Sequence, residues 1–157
     1  MKILPLAALL LSVAPVAALS APGAAGHSHE TFSAGEPGNP KKPARVVQVT
    51  MKEDDGKMLF VPDRVEVRKG EQIRFVLRNN GELVHEFMLA TTAENDKHAE
   101  LMQKYPDMEH DDPNGKNLQP KKNAEIIWKF TKTGEFEFAC LIPGHRESGM
   151  HGKVVVK

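Results

Sequence analysis

The sequence predicts an all-β fold, a β-sandwich carrying one short helical insertion. Three observations point there. From residue 45 onwards apolar and polar residues alternate with period two, as strands with one buried face require. The alternating runs are short, and turn residues recur between them, which is the rhythm of a sandwich. One stretch, 91–123, breaks that rhythm, and its segment 93–105 lacks β-branched residues.

Taken in order, residues 1–20 read as a secretory signal peptide. Met1-Lys2 begins it, an Ala- and Leu-rich apolar run follows, and small residues offer a cleavage site. Pro5 and Pro15 interrupt the run, and a spanning helix needs about 20 apolar residues, so no membrane anchor is expected. Residues 21–44 read as a disordered arm containing His27 and His29. The arm is rich in Gly, Pro, Ala and Ser, with Phe32 its one large apolar residue. Such a stretch buries too little surface to offset the entropy of ordering.

The sandwich domain is expected over 45–157. Val47, Val49 and Met51 alternate first, and Asp54-Asp55-Gly56 turns the chain. Strand candidates at 58–61 and 65–67 flank Pro62-Asp63. Ile73, Phe75 and Leu77 alternate next, and Asn79-Asn80-Gly81 reads as a hairpin-type turn into a strand over 84–89. Inside the insertion a short helix is expected over 98–105, stopped by Pro106, with loop at 111–115. Ala124, Ile126, Trp128 and Phe130 alternate, then Phe136, Phe138 and Cys140, and 153–157 closes the chain.

With 21 Lys and Arg against 21 Asp and Glu, the 157-residue chain is neutral, and loss of Lys2 leaves one net negative charge. Nothing in that balance points to a nucleic-acid partner.

The chemistry concentrates at the end of the last alternating run. Cys140, His145 and Met150 stand five residues apart. A lone Cys in an exported chain has no internal disulfide partner. Thiolate and thioether suit Cu(I), and imidazole suits both oxidation states of copper. Joined by His85 at the start of an earlier strand, they supply the two His, one Cys and weak axial Met of a type 1 copper site. Cys140 keeps the inward phase of Phe136 and Phe138, while Pro143-Gly144 and Ser148-Gly149 turn the chain for His145 and Met150. Taken singly, each residue has a plainer use: His85 at a strand edge, Met150 as packing, Cys140 as an inert buried thiol. Zinc also takes Cys and His, but structural zinc sites use more Cys and no Met. The joint pattern favours copper.

These residues resemble the cupredoxins, the small blue-copper proteins, over about 46–157 apart from the insertion. The Cys-x4-His-x4-Met loop, with Ile142-Pro143-Gly144 before the His and Gly149 before the Met, is most similar to that of rusticyanin. The resemblance implies a Greek-key β-sandwich and the ligands His85, Cys140, His145 and Met150. In many electron-carrying members the residue after the first His is Asn or Ser, whose side chain hydrogen-bonds near the Cys loop. Here it is Glu86, and Val84-His85-Glu86-Phe87 resembles instead the periplasmic cupredoxins linked to bacterial copper tolerance. Those proteins tend to carry further His and Met residues. His98, Met102, Met108 and His110 in the insertion form such a group, a candidate patch for additional copper, with solvent-facing polarity and Met packing as the plainer reading.

The expectation is therefore a periplasmic copper-tolerance protein with a redox-active mononuclear copper, and not an enzyme. The alternative is a soluble one-electron carrier between periplasmic redox proteins, with Leu141, Ile142 and Pro143 as an apolar collar beside His145. Expected partners are copper ions and either a redox protein such as a cytochrome or a copper-exporting system.

Overall fold

Period-two burial assembles two sheets whose apolar faces meet. The computed structural model describes residues 32–105 and 112–157. The signal peptide at 1–20, the arm histidines His27 and His29, and Met108 and His110 lie outside the described residues. In chain order the elements are β1 (Glu36–Pro37), β2 (Arg45–Asp54), β3 (Lys57–Val61), β4 (Arg64–Val67), β5 (Gln72–Asn79), β6 (His85–Ala90), α1 (Thr92–Lys104), β7 (Gly115–Leu118), β8 (Asn123–Lys129), β9 (Gly134–Ala139) and β10 (His151–Val156).

One sheet runs β1-β8-β5-β2-β3 and the other β4-β10-β9-β6-β7. Two of the pairings, β2 with β5 and β4 with β10, are parallel. They join strands far apart in sequence, as Greek-key connections do. In β5 every second residue is buried: Ile73, Phe75, Leu77 and Asn79. Between the sheets Phe87 stacks on Phe138 at 5.2 Å, and Phe60 meets both rings edge-on. Strand β6 departs from alternation, because all six of its residues are buried. Phe87 and Leu89 join the main core, while Met88 packs with Ala139, Leu141 and Met102 of α1. The insertion thus roofs the outer face of β6 and β9.

Three expectations need correction. Residues 32–44 are not a disordered arm. Ala34 is buried, Phe32 meets Trp128 edge-on at 5.1 Å, and the Trp128 indole N–H donates to the Ala34 carbonyl at 3.2 Å. Glu36–Pro37 pairs with the free edge of β8, and Gln72 holds the backbone of Asn39. The segment has little apolar surface of its own and orders by covering surface that β8 supplies. The helix is also longer than 98–105. Thr91 and Glu94 form a reciprocal capping box that starts it at Thr92. Lastly, Asn79-Asn80-Gly81 is no hairpin turn: β5 and β6 lie in different sheets, so the turn carries the chain across the sandwich.

Candidate metal centre

The site forms where β6 begins and β9 ends, with Met88 opposite Ala139 in the ladder that joins them. His85 is the first residue of β6 and is fully buried. Cys140 directly follows β9 and is fully buried too. The two belong to adjacent strands of one sheet, which brings residues 55 positions apart side by side. His145 comes from the loop after Cys140 and is partly exposed. The metal-binding atoms of His85, Cys140 and His145 lie within 4.8 Å of one another. His145 Nδ1 stands 3.3 Å from both the Cys140 sulfur and His85 Nδ1.

The loop folds on its own backbone. The Cys140 N–H donates to the Met150 carbonyl at 3.0 Å, and the Met150 N–H to the His145 carbonyl at 3.1 Å. Gly144 and Gly149 take positive φ, +87° and +105°, a region that side chains disfavour. Met150 is fully buried in the core cluster that also holds Cys140.

Protonation suits a metal. Burial pushes the Cys140 thiol up to about 12 despite N–H donors from Glu86 and Ile142. The metal-free thiol therefore keeps its proton at neutral pH, and metal binding must release it. Burial first, and then the neighbouring His85, hold His145 below its ordinary value, so its ring is neutral and able to ligate.

Residues outside the ligand set hold them in place. The Glu86 N–H donates to the Cys140 sulfur at 3.3 Å, and its carboxylate Oε2 accepts the Leu141 N–H at 3.0 Å. Glu86 thus makes the bond near the Cys loop that Asn or Ser makes in many cupredoxins. Burial, against the Leu141 N–H, raises its carboxyl to about 7. Arg146 donates to both oxygens of Glu137, at 2.9 and 2.8 Å, and to Asp96 of α1 at 2.6 Å. Asn95 of α1 donates to the same Glu137 at 2.9 Å. The insertion is therefore fastened to the residue next to His145.

Of the four predicted ligands, His85, Cys140 and His145 bring their donor atoms together, and Met150 is buried with its backbone bonded to Cys140 and His145. Of the second group, only His98 and Met102 are among the described residues. His98 is half-buried, and Met102, one turn further along α1, is buried in the small cluster with Met88 and Leu141. Leu141 also leaves the predicted collar, since it is covered by α1; Ile142 stays half-buried and Pro143 exposed. Sequence reasoning missed Glu53. Its Oε1 lies 2.6 Å from His85 Nε2. It sits 32 residues away on β2 of the opposite sheet, and no local spacing marks it.

The donor set fits copper: one thiolate, two imidazoles and a buried thioether suit it better than a harder ion. Comparison with known proteins agrees. The profile of copper binding proteins of the plastocyanin/azurin family matches residues 47–157. The chain is 45% identical over 159 residues to the copper-resistant cuproprotein CopI of Rubrivivax gelatinosus, covering 94% of each chain. It is 32% identical over 185 residues to the protein of that name from Pseudomonas aeruginosa, covering 99% of this chain and 97% of that one. The solved structure of auracyanin B superposes with a TM-score of 0.63 at 18% identity, over 78% of this chain and 96% of that one.

Proposed function

The chain belongs to the plastocyanin/azurin family of copper-binding proteins, and from that premise we propose that it holds one type 1 copper ion through His85, Cys140, His145 and Met150 and serves copper tolerance in the periplasm. The observation that carries the reading is the convergence of two imidazole nitrogens and the single thiol within 4.8 Å at one buried corner. Its relatives named as copper-resistant cuproproteins support the tolerance role. When bound, copper supplies one-electron exchange between Cu(II) and Cu(I). The protein acts by binding and not by catalysis, because four protein donors leave no position for a substrate. The leader-like sequence at 1–20 supports export. Among the described residues no helix is long and apolar enough to cross a membrane.

One substitution tests the reading at two levels. Cys140→Ala is expected to abolish the intense visible absorption of the Cu(II) protein. It should also fail to restore growth in excess copper to a strain lacking the gene. Colour retained would refute the ligand set, and growth retained would refute the tolerance role. Metal analysis is expected to find one copper per chain; two would bring the His98–Met102 group back.

A carrier role has one observation in its favour. His145 is partly exposed, with half-buried Ile142 and exposed Pro143 beside it and Leu83 also exposed near His85. Such an apolar rim is where a redox protein or copper exporter would dock. A deletion strain that tolerates copper normally yet respires poorly would favour that second reading.

A further inference from the structure

We propose that Glu53 is a positioning residue of the metal centre: its carboxylate fixes the His85 ring with the Nε2 proton outward and Nδ1 inward, and its charge favours Cu(II) over Cu(I). The inference rests on the copper reading above, but it comes from geometry that reading does not use.

His85 is fully buried, so its outward nitrogen needs a protein partner. Glu53 Oε1 provides it at 2.6 Å. The same carboxylate accepts the N–H groups of Glu82 at 2.9 Å and Leu83 at 3.2 Å. These residues lie just before His85, so one side chain grips both the ligand and the loop that delivers it. Asn79 braces that loop from the other side, donating to the Leu83 and Leu118 carbonyls and accepting the Gly81 N–H. The ring therefore cannot turn without breaking its bond to β2 of the opposite sheet. Three donors converge on this one carboxylate, the arrangement that suits a negative charge. A ligand imidazole that donates to a carboxylate is a stronger donor, and a nearby negative charge favours the more highly charged metal.

Glu53→Gln keeps the shape and an acceptor oxygen but removes the charge. Cu(II) affinity is expected to fall about tenfold with Cu(I) affinity changed less. For one electron that raises the reduction potential by up to about 59 mV. Glu53→Asp, which keeps the charge on a shorter arm, should restore part of the shift. Nitrogen-15 NMR of the metal-free wild-type protein should find a proton on His85 Nε2 and none on Nδ1. Copper bound by Glu53→Gln at the wild-type potential would overturn the electrostatic role, and a ring protonated on Nδ1 would overturn the positioning role. A wild-type protein that takes up no copper would instead refute the copper reading, and the NMR measurement would still decide the Glu53–His85 contact.

Discussion

The two flanks of the metal centre are built in opposite ways. The loop flank, 140–150, carries three of the four donors and holds itself mainly through short-range backbone bonds, such as Cys140 to Met150, with one long-range bond from the Met58 N–H to the Ser148 carbonyl. The His85 flank carries one donor and depends on Glu53, from the other sheet. Each flank has its carboxylate, and these differ as well. Glu53 is partly exposed and takes three donors, so its charge is held. Glu86 is fully buried with one N–H donor, so burial prevails and its carboxyl rises to about 7. The state of an acid beside the site follows from how many donors reach it and how much water it loses.

The largest effect should come from unfastening the loop flank. Glu137 is 8% exposed and is held by both Arg146 Nη2 and Asn95. Arg146→Ala would strand that carboxylate. Removing one partner of a buried pair costs about 3–5 kcal/mol; Arg146 is itself 21% exposed, which brings the expected loss nearer ~2 kcal/mol. Urea unfolding of the metal-free protein measures it, and Arg146→Ala with Glu137→Gln should recover part of the loss. A single variant as stable as wild type would mean that the loop is held by its backbone alone.

Glu86 tests the other half of the contrast, through pH. Its folded value lies above its unfolded one, so the metal-free fold is favoured most below pH 4.5, and that advantage is lost as pH rises to about 7. At about 1.4 kcal/mol per unit, the full span would be on the order of 3 kcal/mol, and local relaxation of the burial penalty brings it below the loss expected for Arg146→Ala. Glu86→Gln keeps an acceptor for the Leu141 N–H and cannot ionise. Its unfolding midpoint should fall less than that of wild type between pH 5 and 8. Parallel pH profiles would show that Glu86 is not the group that burial strains.

The same contrast explains what the sequence made legible. The sandwich and the loop donors follow from short-range patterns: alternation in β5 and β9, and fixed spacing from Cys140 to Met150. Ordering of 32–44 is not legible because the stabilising surface belongs to Trp128, which lies 94 residues from Ala34. Crossing at 79–81 is not legible either, because a turn sequence does not say which sheet the next strand joins. The helix start is legible, as Thr91-x-x-Glu94 is a capping signature. Glu53 could not be found, since only the packing of two sheets brings it to His85.

The smallest expected effect reaches Glu53 without touching it. A Cβ on Gly81 would stand 2.5 Å from both Glu53 carboxylate oxygens. No left-handed φ is demanded of Gly81, so alanine suits the backbone there and the clash falls on the carboxylate. The end of a Glu side chain can move, and moving it loosens its bonds to His85, Glu82 and Leu83 together. Each net hydrogen bond contributes about 1 kcal/mol, and water can replace some of them at this partly exposed site, so Gly81→Ala should cost about 1 kcal/mol. The discriminating readout is the reduction potential. A carboxylate pushed off the ring should shift it in the direction of Glu53→Gln, by a smaller amount because the charge remains nearby. Stability lost with an unchanged potential would separate the two jobs assigned to Glu53: the loop would need the carboxylate, and the metal would not sense it.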